Sequence, residues 1–158
     1  MSSPLKPKWK NEPVNGRSRT QWWGVCLDAR DPRRLAVFYS LVLGWPVSQE
    51  DENGAAIAIP GTTSFISFQR NDDFRAPIWP GKVGEQQMML HLDVAVDDLD
   101  VAVTGSIALG ATIAEYQPQD SVRVLLDPEG HPFCLYADPA STGTSGEQEN
   151  LDREEGLS

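Results

Sequence analysis

One pattern of elements occurs twice between residues 21 and 138, and this repeat constrains the fold more than any other feature of the sequence. The first copy opens with the strand-like stretch QWWGVCLDA and continues with Asp31-Pro32, a pair that favours the first turn of a helix. Apolar residues then follow at the spacing of one helix face: Leu35, Phe38, Tyr39, Val42 and Leu43. Three strand candidates complete the copy, WPVSQE, AAIAIP and TSFISFQR, with the hairpin signal Asn53-Gly54 between the first two.

The second copy has the same order of elements. It opens with QMMLHLDVAV, and Asp97 or Asp98 caps a helix whose predicted apolar face is Leu99, Ala102, Val103, Ile107 and Ala108. The strand candidates ATIAEYQ, SVRVLLD and PFCLYAD follow. Gly44 and Gly110, each suited to end its helix in the left-handed conformation, lie 66 positions apart. The sequence therefore predicts an α+β fold of two tandem βαβββ modules, residues 21–70 and 87–138, joined by a linker over residues 71–86.

The two ends of the chain differ from this body in composition. Residues 1–20 carry five basic residues and one acidic residue, and residues 139–158 are polar and acidic, so both are predicted to be disordered tails. A contact of the basic tail with nucleic acid or an acidic partner stays open as the alternative. The chain has a net charge of −10, which argues against nucleic-acid binding by the body.

Localisation is predicted from three features of the sequence. It has no apolar run of the roughly 20 residues that span a bilayer and no secretory signal, so we expect no membrane association. Cys26 and Cys134 are then expected to be free thiols in a reducing compartment, which predicts a cytoplasmic protein.

Several stretches resemble one protein superfamily: DPRRLAVFYSLVLGW in the first copy, and LHLDVAVDDLDVAV, LGAT and LLDPEGHPFCLY in the second. They are similar to the vicinal oxygen chelate superfamily, which includes glyoxalase I, extradiol dioxygenases and bleomycin-resistance proteins, and most of all to its glyoxalase-like domain branch. The resemblance implies curved mixed sheets around a cleft shared by the two modules, with the helices outside. It also implies a homodimer.

The same resemblance allows the family's metal-ligand positions to be checked one by one. Metal-dependent members take a ligand from the first and last strand of each module, and the matching positions here are Gly24, Ile66 or Ser67, His91 and Cys134. His91 is a good ligand and Cys134 a soft one, but glycine and isoleucine or serine are not credible ligands for a divalent metal. No cofactor is therefore predicted, and a divalent metal is disfavoured.

Three interpretations of these residues stay open. Zinc could be held by His91, Cys134 and Cys26, or His91 could activate a nucleophilic Cys134 thiolate. The preferred interpretation makes the cysteines small buried hydrophobes and His91 a hydrogen-bonding group on the cleft wall.

Other residues are candidates for contact with a ligand. Phe74 and Trp79 lie in the linker, where aromatic residues are hard to explain as core. Trp22 shares a strand with Trp23 and points to the opposite face, and Arg123 alternates with apolar neighbours and could line a polar cleft wall. The turn sequence Asp127-Pro128-Glu129-Gly130 places His131 at a hairpin end, where it is expected to be exposed or at the cleft rim.

Three functions follow from these observations. The first is a protein without the usual metal site that binds a small aromatic or amphipathic molecule in the cleft. The second is a metal-independent or atypical-metal enzyme of the lyase, isomerase or dioxygenase type, with His91 as its acid–base residue. The third is a protein-interaction module. Whether the chain is an enzyme stays open at this point.

Overall fold

A computed structural model of the chain describes residues 16–141, and residues 1–15 and 142–158, which hold most of both predicted tails, lie outside the described residues. The described part has the predicted order of elements in both modules. These are β1 (Trp23–Ala29), α1 (Pro32–Leu43), β2 (Val47–Glu50), β3 (Gly54–Ala58), β4 (Ser64–Arg70), β5 (Leu92–Val96), α2 (Leu99–Ala108), β6 (Thr112–Ile113), β7 (Val122–Leu126) and β8 (Pro132–Ala137). Among the described residues, no helix combines the length and the apolar character needed to cross a membrane.

Each module forms its own four-stranded open sheet. The strand orders are β1-β4-β3-β2 and β5-β8-β7-β6, so the two sheets have the same topology. In both sheets the first and last strands of the module are parallel neighbours, and the remaining pairs are antiparallel. The predicted α+β fold of two βαβββ modules is confirmed.

Helix α1 agrees with its prediction at both ends and along its inner face. The Asp31 side chain accepts a hydrogen bond from the backbone N–H of Arg34 at 3.0 Å, and Gly44 ends the helix with φ of 68°. Leu35, Phe38 and Tyr39 are buried, as their spacing predicts. These three residues form part of the core.

Helix α2 differs from its prediction. Asp98 caps it, but Ile107 is 45% exposed and Ala108 is also exposed, whereas Ser106 is buried. The buried serine is tolerated because its hydroxyl donates to the carbonyl of Ala102 at 2.8 Å. The inward face of α2 thus continues through Ser106 rather than through Ile107.

Two strands of the second module are shorter than predicted. Strand β5 begins at Leu92 rather than Gln87, because residues 86–90 belong to the linker, where the backbone N–H of Ile78 donates to the carbonyl of Gln86 at 3.0 Å. Strand β6 ends at Ile113, and the side chain of Gln117 then takes its place beside β7. The Gln117 amide donates to the carbonyl of Val124 at 2.9 Å and accepts from its N–H at 2.8 Å, so it replaces a strand's backbone groups.

The modules meet where α1 lies against the β7–β8 turn. The rings of Phe38 and Tyr39 contact the ring of Phe133 at centroid distances of 5.8 and 5.9 Å. The Tyr39 hydroxyl donates to Oδ2 of Asp127 at 2.9 Å, and this bond is buried. Burial, together with the neighbouring carboxylate of Asp127, raises the pKa of Tyr39 well above its ordinary value.

A second contact joins the same turn to the start of α1. The carboxylate of Glu129 accepts hydrogen bonds from the backbone N–H groups of Arg30 at 3.2 Å and Asp31 at 3.1 Å. A negative charge is favourable at a helix N-terminus, where the backbone N–H groups lack partners within the helix. Core packing and these hydrogen bonds together fix the first module on the second.

We predict that Tyr39→Phe lowers the free energy of unfolding by about 1.5–3 kcal/mol, since it removes a buried hydrogen bond to a charged group and leaves the ring packing intact. Urea denaturation followed by circular dichroism measures the change. Tyr116→Phe is the matched control, because Tyr116 is 51% exposed and its loss of a hydroxyl should change stability little. Equal stabilities of the two variants would contradict this role of Tyr39.

Candidate functional site

A cluster of three metal-ligating side chains lies on the second module, where β5 and β8 run side by side. Asp93 is paired in register with Cys134, and His91 precedes Asp93 by two residues and so points to the same face. His91 Nε2 lies 3.1 Å from Asp93 Oδ1, and the ligand atoms of His91, Asp93 and Cys134 all lie within 4.8 Å of one another. His91 and Cys134, predicted as possible partners, are thus neighbours, and Asp93 joins them.

The environment of Cys134 keeps its thiol protonated. Burial, the charge of Asp93 and a hydrogen bond to Asp93 raise the pKa of Cys134 to about 11. Because the thiolate is the nucleophile, Cys134 has little nucleophilic form at neutral pH. The catalytic roles of His91 and Cys134 stay predictions.

The equivalent positions of the first module carry different groups. Cys26 is paired in register with Ser67, so Ser67 rather than Ile66 is the counterpart of Cys134, and Ile66 is buried in the core. Gly24 is the counterpart of His91, and a Cβ atom there would meet the Phe65 ring at 2.7 Å. A side chain at this position therefore has no room. The family's four-ligand arrangement does not fit this chain, because the first module offers only a thiol and a hydroxyl.

A cavity of about 350 Å³ lies between the modules. Its walls come from β1, from the linker and from His131 in the β7–β8 turn, and they include Cys26, Asp28, Asn71, Phe74 and Met88. Asp28 accepts hydrogen bonds from Asn71 Nδ2 at 2.7 Å and Gln69 Nε2 at 2.6 Å. The hydrogen bonds from Asn71 and then Gln69 hold the pKa of Asp28 below its ordinary value, so this wall carries a fixed negative charge.

His131 takes part in this cavity through a partly buried ring. Its Nδ1 lies 2.9 Å from Asp127 Oδ2, and its ring lies against the Phe74 ring at a centroid distance of 4.7 Å. The side chain is 13% exposed. The sequence predicts that His131 is exposed or at the cleft rim, and the structure places it in the cavity wall with its side chain mostly buried.

The five residues predicted to contact a ligand lie at separate places. Phe74 lines the inter-module cavity, and Trp22 lines a second, largely apolar cavity of about 430 Å³ with Phe65 on the first sheet. Trp79 lies against Tyr116, to whose carbonyl its Nε1 donates at 3.2 Å. His91 belongs to the cluster on β5 and β8. Ligand contact stays a prediction for each of them.

Arg123, the remaining residue of that set, turns toward backbone carbonyls. Its Nη1 donates to the carbonyl of Asp120 at 2.7 Å and to that of Val122 at 3.0 Å. Arg123 is also paired in register with Leu135, which is buried. Its guanidinium is thus bonded to backbone carbonyls at the start of β7, and Arg123 is not among the residues that line the inter-module cavity.

Two acidic residues of these sites were missed by sequence reasoning. Asp93 lies two residues after His91, and Asp28 lies two residues after Cys26. The alternation of a strand places each on the same face as the earlier residue, and this signal could have identified both.

Comparisons with known proteins agree with the fold. A family model described as a glyoxalase-like domain matches residues 24–136. No curated protein matches the sequence significantly.

Solved structures give a second comparison. A glyoxalase/bleomycin resistance protein/dioxygenase family enzyme from Burkholderia phytofirmans PsJN is similar at 21% identity and a TM-score of 0.55, covering 72% of this chain and 95% of that one. A hypothetical protein from S. aureus is similar at 17% identity and 0.54, covering 75% and 94%. A glyoxalase/bleomycin resistance protein from Albidiferax ferrireducens T118 is similar at 18% and 0.51, covering 73% and 97%. At these identities the likeness shows the fold alone.

We predict that Asp93→Asn accelerates alkylation of Cys134 by iodoacetamide at pH 8 by about 3- to 10-fold, since one pKa unit changes the thiolate fraction tenfold. The substitution removes the charge that helps to raise the pKa of Cys134, so the thiolate forms at lower pH. Both proteins carry Cys26→Ser, so that mass spectrometry reports on Cys134 alone. In the protein that retains Asp93, the rate of Cys134 alkylation should keep rising as the pH approaches 11. A plateau of that rate below pH 9 would contradict the prediction.

Proposed function

The chain belongs to the glyoxalase-like domain family, within the vicinal oxygen chelate superfamily, and from this premise we propose that it binds a small amphipathic molecule in the cavity between its modules. The observation that carries the proposal is the cavity of about 350 Å³. Sites for small molecules usually measure about 300–1,000 Å³ and combine apolar walls with a few polar groups. The usual metal site of the superfamily has no part in the proposal, because the first module has Gly24 and Ser67 at its two ligand positions.

The lining of the cavity combines apolar and polar groups, and this combination supports an amphipathic ligand. The end of the linker contributes Met88, Met89 and Leu90, and polar groups come from Asp28 and His131. Flexible methionine side chains adapt to the shape of an apolar group. A ligand with an apolar body and one polar end would match both kinds of group.

Charge supports a further restriction on the ligand. Asp28 is held in its charged form by two amide donors, whereas Asp73 and Arg75, which also line the cavity, are both exposed and carry opposite charges. An anionic ligand beside Asp28 would be repelled by its carboxylate, whereas a neutral or cationic one would not. We therefore propose a neutral or cationic ligand, with phenols and aromatic amines as suitable probes.

We predict that 4-methylphenol and benzylamine bind with dissociation constants on the order of 1 mM or below, and that benzoate binds at least about tenfold more weakly. The measurement is NMR of the ¹³C-labelled methionine methyl groups. The chain has three methionines, and two of them, Met88 and Met89, line the cavity, so their signals should shift during a titration.

Two variants locate the binding site. Met88→Trp should weaken binding by filling the cavity, whereas Trp22→Ala, which changes only the second cavity, should leave it unaltered. Loss of binding in Trp22→Ala but not in Met88→Trp would place the ligand on the first sheet and reject the proposal. Signals that stay unchanged with all three probes would reject it as well.

A second candidate function, an atypical metalloenzyme, is favoured by the cluster of His91, Asp93 and Cys134. Imidazole, carboxylate and thiolate are the ligand types that zinc binds, and catalytic zinc sites often use three protein ligands with a fourth position open. Bound zinc would act there as a Lewis acid. In this candidate function the chain's own groups supply the ligand set, and Cys134 must release its proton to bind.

We predict for this candidate that zinc protects Cys134 from alkylation and releases about one proton per ion bound, because a zinc-bound thiol is deprotonated. Zinc titration at pH 8 with a pH indicator measures the release. Asp93→Ala should weaken zinc binding by at least about tenfold, and Cys26→Ser should leave it unchanged. Equal alkylation of Cys134 with and without zinc would reject the candidate and leave the cavity proposal intact.

The protein-interaction module is the third candidate function, and no observation on the described residues favours it over the other two. A cytoplasmic location and a homodimer stay expectations, drawn from the free cysteines and from the resemblance respectively.

A further inference from the structure

We propose that His131 determines what the inter-module cavity binds, by accepting a hydrogen bond at Nε2 from a hydroxyl or amino group of the ligand. This proposal rests on the proposed function, since it names the group that recognises the polar end of the molecule.

A buried carboxylate, that of Asp127, lies beside the His131 ring. The side chain of Asp127 is 0% exposed. Its Oδ1 accepts hydrogen bonds from the backbone N–H groups of Glu129 at 2.9 Å, Gly130 at 2.9 Å and His131 at 3.0 Å. Its Oδ2 accepts from the Tyr39 hydroxyl at 2.9 Å and lies 2.9 Å from His131 Nδ1.

This arrangement fixes the tautomer of His131. An ionised carboxylate only accepts hydrogen bonds, so Nδ1 carries the hydrogen and, in the neutral ring, Nε2 has the lone pair. In a neutral imidazole, the hydrogen bond made by one ring nitrogen determines whether the other nitrogen donates or accepts. In the neutral ring, Nε2 is therefore a hydrogen-bond acceptor.

The orientation of the His131 ring is also fixed. On one side it lies against the Phe74 ring, with centroids 4.7 Å apart. Phe74 is itself held in place, because Arg30 Nη2 donates to its carbonyl at 2.7 Å. With Nδ1 held by Asp127 and one face covered by Phe74, the ring presents its remaining edge to the cavity that it lines.

The amide groups bonded to Asp28, which lines the same cavity, are already occupied. The side-chain nitrogen of Asn71 already donates to Asp28, and that of Gln69, on the neighbouring strand, does the same. The oxygen of Asn71 accepts from the backbone N–H of Asp73 at 3.0 Å. Asp28 and, in the neutral ring, His131 Nε2 are therefore hydrogen-bond acceptors in this cavity, and a ligand group that bonds to either of them must donate.

The experiment compares two probes of nearly the same shape, 4-methylphenol and its methyl ether 4-methylanisole, which has no O–H group to donate. We expect the phenol to bind at least about tenfold more tightly, the factor that one hydrogen bond contributes. His131→Phe should abolish this preference while keeping a ring against Phe74. Tyr116→Phe is the control and should retain it, because Tyr116 is 51% exposed and does not line this cavity.

A measurement on the unsubstituted protein keeps the test independent of the stability of the variants. Long-range ¹H–¹⁵N correlation spectra show two histidines, and His91→Phe assigns them. At neutral-ring pH, His131 should show a protonated Nδ1 and an unprotonated Nε2, and the Nε2 signal should shift on addition of 4-methylphenol but not of 4-methylanisole.

The outcomes separate this proposal from the proposed function. If both probes bind equally well, the cavity binds ligands but His131 does not select them, and this proposal is overturned alone. A neutral His131 ring that carries its hydrogen on Nε2 would also overturn the proposed role of His131. If neither probe binds, both the cavity function and the role of His131 are rejected.

Discussion

The carboxylate of Asp127 is the interaction on which the arrangement of this protein depends. It accepts the hydroxyl of Tyr39 from the first module and three backbone N–H groups of its own turn in the second. Removing this acceptor would leave the buried Tyr39 hydroxyl without a partner, at a cost of about 1–3 kcal/mol, and would take an acceptor from three partly buried N–H groups. A single side chain thus shapes the β7–β8 turn, joins the modules and orients His131.

The two modules share a topology but have diverged in chemistry. Where the second module has His91, Asp93 and Cys134, the first has Gly24, Cys26 and Ser67. The turn between β3 and β4 likewise has no carboxylate, since it consists of residues 59–63 with the sequence IPGTT. Metal-ligating and acid–base groups are therefore concentrated on the second module, while the first contributes Asp28 to the cavity and apolar residues to its own sheet.

The fold could be predicted from the sequence because its signals are local. The cap at Asp31, the helical spacing through Tyr39 and the glycine at position 44 all act within one helix, and the repeat supplied the topology. The sites could be predicted only in part, because they depend on strand register and on the route of the linker. The pairing of Asp93 with Cys134 is a register effect, and the use of Gln117 in place of a strand is a side-chain contact that no periodicity reveals.

The cavity exists because the linker is anchored on the turn that joins the modules. Gly130 has φ of 97°, and a Cβ atom there would meet that of Ala76 at 2.7 Å, so glycine is required both for the turn and for the approach of the linker. Phe74, two residues before Ala76, covers one face of His131, and the returning part of the linker adds Met88 to the cavity lining. A segment without helix or strand thus builds most of the candidate binding site, and its ligand specificity depends on the same turn that holds the modules together.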